Sequence, residues 1–429
     1  MKKVCLITLG CSKNLVDSEH ILGLLQYDGY EITTNMDEAD LIVVNTCGFI
    51  EPSKRESIEA IFNALNSGKQ VVVSGCLVER YEKELKAEIP EVASFIPIHN
   101  YDSFNEFLTV VDPNLPDKYG LRDELRILST KPYSAYLKIG EGCSNRCAYC
   151  AIPLIRGNFK SRPMKDIIDE AKKLASNGVK EIIILEQDTT MYGIDLSKEV
   201  NIVSLMKELV KIEGIEYIRL LYLYPDEITD ELIDMFANEK KVLPYFDVPI
   251  QHSETALLRS MRRRSTRESL LELFKRIREK CPKAVFRTTL MVGFPGEKEE
   301  DVDNLVNFIN EVEIDHIGCF TYSREEGTAS YDYPNQIEEE VKVKRKEKVM
   351  KAAQSVSYKL NKKHVGEIME GMIVGIRKNE YLFRSYWNAP DDVDGNIYVK
   401  SDRPLKEGEN VKVLITEAYV YDLIGKVVE

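Results

Sequence analysis

Short runs of β-branched and aliphatic residues recur along the first third of the chain, at positions 4–9, 41–45, 71–74 and 95–98. Segments with apolar residues every three or four positions separate them, one opening at Glu51-Pro52, where proline suits a first helical turn. Strands alternating with helices at this spacing predict a parallel sheet with helices on both faces, an open α/β domain over residues 1–127. After a linker containing Lys131-Pro132 a longer series follows, with β-like runs at 135–139, 181–185, 217–222, 245–250, 285–292 and 316–321. Helical patterns lie between them, such as 165–176 and 299–312. Six β/α units are too many for one small open sheet and fit an incomplete barrel over 133–335. Residues 336–363 read as an amphipathic connecting helix, with Ile337, Val341, Val349, Ala353, Val356 and Leu360 on its apolar side. Beyond His364 short alternating runs at 372–376, 396–399, 411–415 and 425–428, separated by Gly, Asp and Pro, predict a small β-barrel over 364–429.

Composition narrows the function classes. The 429 residues carry 58 Lys+Arg against 71 Asp+Glu, a formal net charge of −13. That deficit counts against functions resting on blanket attraction to bare nucleic acid or anionic membrane, though not against a local basic patch. The apolar run near the start ends at Gly10-Cys11, too short for a signal peptide, and no stretch approaches the roughly 20 apolar residues of a membrane span. A monomeric cytoplasmic protein without membrane contact is the expectation. Its nine cysteines then read as metal ligands or buried thiols rather than disulfides.

Cys143, Cys147 and Cys150 form a C-x3-C-x2-C array immediately after the first strand of the second series. The loop therefore lies at a strand's carboxyl end, the edge where α/β barrels place their chemistry. Thiolates this close suit a soft metal. Structural zinc normally closes with a fourth nearby ligand, whereas three ligands leave one iron of a four-iron cluster open to a small molecule. Cys11, Cys47 and Cys76 are 36 and 29 residues apart, yet each follows a β run. One βαβ step takes about 30 residues, so these are equivalent positions on successive parallel strands, converging at the sheet's carboxyl edge. They are either a second three-thiolate cluster site or three unrelated core thiols. Cys5, Cys281 and Cys319 have no partner at useful spacing and read as buried small hydrophobes.

With these residues in hand, the chain resembles the radical S-adenosylmethionine superfamily, whose signature is the C-x3-C-x2-C array. More narrowly it resembles the methylthiotransferases, which join a domain with three spread cysteines to a radical domain and a C-terminal TRAM β-barrel. The resemblance spans essentially the whole chain. It implies two 4Fe-4S clusters: one on Cys143, Cys147 and Cys150, whose open iron chelates S-adenosyl-L-methionine, and an auxiliary one on Cys11, Cys47 and Cys76. The run from Thr289 to Glu297 matches a glycine-bearing strand end of the family, which makes Gly293 and Gly296 cofactor contacts. Tyr149, Glu186, Gln187 and Ser253, at the same strand edge, are further candidates. The implied chemistry is reductive cleavage of S-adenosylmethionine to a carbon radical, hydrogen removal from an unactivated carbon, and delivery of a methylthio group from the auxiliary cluster. An electron donor and a sulfur donor are implied partners.

Family members modify a transfer-RNA adenosine or an aspartate of a ribosomal protein. From 365 to 429 there are 8 Lys+Arg and 12 Asp+Glu, a balance of 8 − 12 = −4. A barrel gripping RNA should be basic, whereas an acidic one suits a basic protein. Asp391, Asp392 and Asp394 cluster in one loop and are candidate substrate contacts. The runs from Gly10 to Glu19 and from Ala389 to Gly395 also resemble the ribosomal-protein branch, implying an aspartate of the twelfth small-subunit protein as target. The helix from 342 to 363 holds nine Lys+Arg against Glu347 alone, and Arg262, Arg263, Arg264 and Arg267 form another group. Such runs are usually solvated faces; here they could touch ribosomal RNA beside the target. Transfer-RNA modification and a non-enzymatic iron–sulfur carrier are the alternatives.

Overall fold

The computed structural model describes residues 2–98, 125–378, 380–391 and 393–428. They form two compact units, one comprising Met1–Leu174, Leu185–Gln187 and Ser323–Tyr331, the other Ala175–Ile184, Asp188–Tyr322 and Asp332–Glu429.

In the first unit β1 (Lys3–Thr8), β2 (Glu31–Ile32), β3 (Leu41–Thr46), β4 (Gln70–Gly75) and β5 (Ser94–Ile96) make a parallel sheet in the order β2-β1-β3-β4-β5. Helices α1 (Ser12–Tyr27), α2 (Glu51–Asn66) and α3 (Cys76–Glu88) make the crossovers. Both faces of the sheet are covered, so β3 is buried along its whole length and reads as a continuous apolar run. Its alternate residues enter opposite cores: Ile42 and Val44 pack with Ile61, Val71, Val73 and Leu77, while Val43 packs with Val4, Ile21, Leu25 and Val72. The two-residue edge strand β2 escapes the sequence pattern because it is too short to show a period. Next come β6 (Ser134–Lys138), β7 (Gly140–Glu141), α4 (Ile152–Ile155), β8 (Lys160–Ser161) and α5 (Met164–Ser176). Antiparallel pairing of β7 with β8 closes the neck of the Cys143–Cys150 loop.

The second unit carries parallel strands β9 (Glu181–Leu185), β10 (Tyr217–Leu220), β11 (Tyr245–Asp247), β12 (Val285–Val292) and β13 (His316–Thr321). Between them lie α6 (Ile202–Leu209), α7 (Asp230–Asn238), α8 (Thr255–Ser260), α9 (Arg267–Lys280) and α10 (Glu299–Val312). The bridge from Ile218 to Val242 carries the parallel order from β10 towards β11. These parallel strands with their intervening helices follow the β/α series that the sequence pattern predicts for an incomplete barrel. Helix α11 (Glu339–Asn361) follows, and then β14 (Ile368–Arg377), β15 (Glu380–Ser385), β16 (Ile397–Lys400), β17 (Asn410–Ala418) and β18 (Leu423–Val428), closed in the order β14-β15-β16-β18-β17. The sequence pattern misses β15, whose Glu380, Arg384 and Ser385 dilute its alternation.

The small barrel is fastened to the amino ends of the parallel strands, the face that serves stability in such folds. Arg219 of β10 donates to the Ser385 carbonyl at 2.8 Å, and His316 of β13 meets the Trp387 carbonyl at 2.8 Å. Asp394 accepts from the Tyr245 hydroxyl at 2.5 Å and the Ala389 N–H at 2.8 Å, and pairs with Arg287. It is 3% exposed, which corrects its assignment as a substrate contact: its charge is spent on Arg287 and Tyr245. Asp391 is exposed; Asp392 lies outside the described residues. Asp394→Ala would leave the Arg287 guanidinium without its closest counter-ion and should cost about 3–5 kcal/mol in denaturant unfolding. An unchanged midpoint would contradict this anchoring role.

The basic helix is likewise absorbed by the fold. Lys342 and Arg345 are buried, Arg345 against Glu297 at 2.7 Å, and Lys348 pairs with Glu299 and Asp303 at 2.6 and 2.7 Å. Lys359 and Lys363 hold Glu313. Among the arginine group, Arg263 is buried over the Tyr224 ring, and Arg264 and Arg267 pair with Glu227 and Glu254. Four of the nine Lys+Arg between 342 and 363 thus pair with carboxylates on or beside α10 instead of facing a partner. Cys5, Cys281 and Cys319 are buried, as expected of core thiols.

Candidate cluster and cofactor site

Cys47 directly follows β3, Cys76 directly follows β4, and Cys11 follows β1 by three residues, so the three stand at one carboxyl edge. The backbone around them is packed too tightly for side chains. A Cβ on Gly10, whose φ is +88°, would stand 2.8 Å from the Cys47 Cβ, and one on Gly48 would stand 2.7 Å from the Cys76 carbonyl oxygen. Asn14, in the first turn of α1, ties the edge together. Its amide donates to the Leu9 and Thr46 carbonyls at 3.0 and 2.8 Å, just ahead of Cys11 and Cys47. Its Oδ1 accepts from the Cys76 thiol at 3.4 Å. Ser57 of α2 completes the frame, accepting from the Cys47 N–H at 3.0 Å and donating to its carbonyl at 2.9 Å.

The C-x3-C-x2-C array, the first triplet, lies in the same unit. Cys143 is buried while Cys147 and Cys150 are half-buried, and the Cys143 N–H donates to the Gly157 carbonyl at 3.1 Å. Cys76 packs in one apolar cluster with Ile98, Ala151 and Ile155, the last two just past Cys150. The two triplets therefore share a neighbourhood, which their spacing in the chain does not reveal.

A buried ionic frame backs this neighbourhood. Arg156 reaches Glu141 at 2.9 Å, Asp17 at 2.9 Å and Asn14 at 2.6 Å, and Lys138 reaches Asp17 at 2.5 Å and Glu141 at 2.9 Å. Burial alone would raise the Asp17 carboxyl, but Lys138 and Arg156 hold it well below the usual carboxylate range. Deeper support comes from Glu19, which accepts from Arg126 at 2.6 Å and from the Ser129 N–H at 2.7 Å. Burial raises the Cys47 thiol and pushes Cys76 up to about 12, with Arg156 opposing. Such thiols ionise only when a soft metal takes the proton's place.

Glu186, at the end of β9, is buried, and its Oε2 has no hydrogen-bond partner among the described residues; Oε1 accepts from the Gln187 N–H at 3.0 Å. Both side-chain polar atoms of Gln187 are also buried and, among the described residues, unpartnered. Burial, reinforced by the Glu141 charge, raises the Glu186 carboxyl to about 8. A buried carboxyl in this condition awaits a cation, and an unpartnered amide beside it offers a donor and an acceptor, a set that fits an amino acid's ammonium and carboxylate. The folded state holds this proton from the ordinary 4.5 up to about 8, so stability falls as pH rises through that window. Glu186→Gln should therefore melt higher than the parent above pH 8, by the equivalent of a few kcal/mol at most, with the gap closing toward pH 5. A constant gap across that range would contradict the buried-acid assignment.

Tyr149 is half-buried beside Cys150. Ser253, Gly293 and Gly296 belong to the second unit. Ser253 is buried and accepts from Arg267 at 3.3 Å. A Cβ on Gly293, whose φ is +78°, would stand 2.3 Å from the Lys342 stem, so glycine here admits that side chain. The Gly293 N–H is held by Glu297 at 2.8 Å. Gly296 has a φ of +85° and a Cβ there would meet open space, so it serves the turn. His252 Nε2 lies 3.5 Å from Glu297 Oε1, both buried.

Among the described residues no three His, Cys, Asp or Glu side chains converge on a point suited to a single metal ion. A four-iron cluster makes a different demand, because its thiolates bind separate corners of a cube and stand further apart. Two buried thiols and the exposed Cys11 at a tight edge, with an orphaned carboxyl and amide in the same unit as the Cys143, Cys147 and Cys150 array, fit that demand.

Comparison with known proteins agrees. Residues 3–97 match an uncharacterized protein family, UPF0004, residues 137–309 the Radical SAM superfamily, and residues 365–428 the TRAM domain. The chain is 49% identical over 428 residues to the ribosomal protein uS12 methylthiotransferase RimO of Aquifex aeolicus (strain VF5), covering 99% of this chain and 97% of that protein. It is 45% identical over 437 residues to the protein of the same name from Thermoanaerobacter sp. (strain X514), covering 99% and 100%. Among solved structures it is similar in fold to the radical S-adenosylmethionine methyltransferase TsrM from Kitasatospora setae, solved with cobalamin and a 4Fe-4S cluster. That match has a TM-score of 0.57 at 14% identity, over 86% of this chain and 81% of that one. The three-part layout, the two cysteine triplets and full-length identity of this order lead to one conclusion: the chain belongs to the RimO family of ribosomal protein uS12 methylthiotransferases.

Proposed function

We propose that the chain is a radical S-adenosylmethionine enzyme that replaces a hydrogen on the β-carbon of an aspartate of uS12 with a methylthio group. The observation that carries the reading is the shared neighbourhood of the two triplets, with Cys76 packed on the segment that follows Cys150. Cys143, Cys147 and Cys150 would hold one 4Fe-4S cluster, and Cys11, Cys47 and Cys76 a second. When bound, the clusters and S-adenosylmethionine supply the electron, the hydrogen-abstracting radical and the sulfur. The protein's part is positional. Glu186 would accept the cosubstrate's ammonium and Gln187 would bond its carboxylate, which orients the molecule over the first triplet. The apolar packing of Ile98, Ala151 and Ile155 keeps water away from the path between the triplets.

Asp391, exposed at the rim of the small barrel, supports a basic protein as target. The ion pairing of α11 counts against RNA as the main ligand, since the basic side chains in those pairs already have partners. An electron donor and a sulfur donor are required, and the cytoplasm, where ribosomal proteins assemble, is the proposed compartment. Among the described residues no helix is long and apolar enough to cross a membrane. The test offers anaerobically reconstituted protein, with reductant, sulfide and methyl-labelled S-adenosylmethionine, to ribosomal subunits and to transfer RNA separately. Label on uS12 is expected; label confined to transfer RNA would refute the proposal.

A further inference from the structure

Arg156 is six residues beyond Cys150, at the carboxyl end of α4, and is 2% exposed. One guanidinium nitrogen donates to Glu141, two residues before Cys143, at 2.9 Å. Its neighbour donates to Asn14 at 2.6 Å and Asp17 at 2.9 Å, both in α1 behind Cys11, and lies 3.7 Å from the Cys76 sulfur. A single side chain on the segment carrying the first triplet thus touches the support of Cys11 and one ligand of the second. The ionic frame alone does not require this, because Lys138 already bridges Asp17 and Glu141 at 2.5 and 2.9 Å. What Arg156 adds is reach to Asn14 and to sulfur, for which a planar fork with several fixed donors is suited and an ammonium is not.

We infer that Arg156 is a positioning residue for the auxiliary cluster, donating an N–H to the Cys76 sulfur and fixing that ligand relative to the first triplet. The inference rests on the two-cluster reading above. A cationic donor at a cluster sulfur stabilises the more negative, reduced state and so raises the reduction potential. Asp17 and Glu141 hold the guanidinium in place, so the donor is aimed before a cluster binds.

The test compares the full chain, reconstituted with both clusters, with Arg156→Met and Arg156→Lys by potentiometric titration followed by electron paramagnetic resonance. Iron in the parent is counted first: about eight per chain is required, and about four would remove the two-cluster reading itself. With eight present, Arg156→Met should shift the auxiliary cluster's potential to more negative values and leave that of the Cys143, Cys147, Cys150 cluster in place. Arg156→Lys should shift it less. Potentials that do not move, or that move together, would overturn the inference. Should a variant lose iron, loss of about half, with S-adenosylmethionine cleavage retained, supports the role. Equal loss from both sites overturns it.

Discussion

Cys147→Ser is expected to lower bound iron from about eight to about four per chain and to reduce both S-adenosylmethionine cleavage and methylthio transfer to background. The array leaves no spare ligand: Cys143 and Cys150 are its other members, and the remaining cysteines nearby belong to the second triplet. A hydroxyl is a poor ligand for iron in a thiolate cluster. The fold should survive, because the loop is closed by β7–β8 pairing and by the Cys143 N–H to the Gly157 carbonyl, neither of which uses the Cys147 side chain. Iron content and 5′-deoxyadenosine formation measure the outcome. Cleavage at the parental rate would show that another group holds the cosubstrate.

Cys47→Ala should split the two activities. Its side chain sits against Gly10, and its backbone is held independently by Ser57. Removing the thiol takes a ligand from the auxiliary cluster without touching Cys143, Cys147, Cys150, Glu186 or Gln187. Cleavage of S-adenosylmethionine should continue, uncoupled, while methylthio transfer falls to background and iron to about four. Transfer that persists in this variant would mean that sulfur reaches the substrate by a route without the auxiliary site.

These two results bear on how much the sequence discloses. The cysteines were legible because their signals are local. Cys143, Cys147 and Cys150 are nearly contiguous, and Cys11, Cys47 and Cys76 each follow a β run, so strand periodicity alone places them on one edge. The meeting of the triplets was not legible, since the packing of Cys76 on Ala151 and Ile155 joins residues some 75 positions apart by no periodic rule. Arg156, Asp17, Lys138 and Glu141 were missed for the same reason, though Asp17 lies in the run from Gly10 to Glu19 that carried the resemblance. Charge misled where it was counted without burial. Asp394 looked like part of an acidic recognition loop, yet it is consumed by Arg287 and Tyr245. The basic helix looked available to RNA, yet Arg345, Lys348, Lys359 and Lys363 are spent on acidic side chains around α10. Formal charge measures what a chain carries, and only the fold decides how much of it faces outward.

The most direct measurement is the mass and fragmentation of uS12 after incubation with the reconstituted chain, reductant, sulfide and S-adenosylmethionine. One methylthio group per uS12 is expected, with fragment ions placing it on the β-carbon of an aspartate. An unmodified uS12 alongside active S-adenosylmethionine cleavage, or a group on any other residue type, would contradict it.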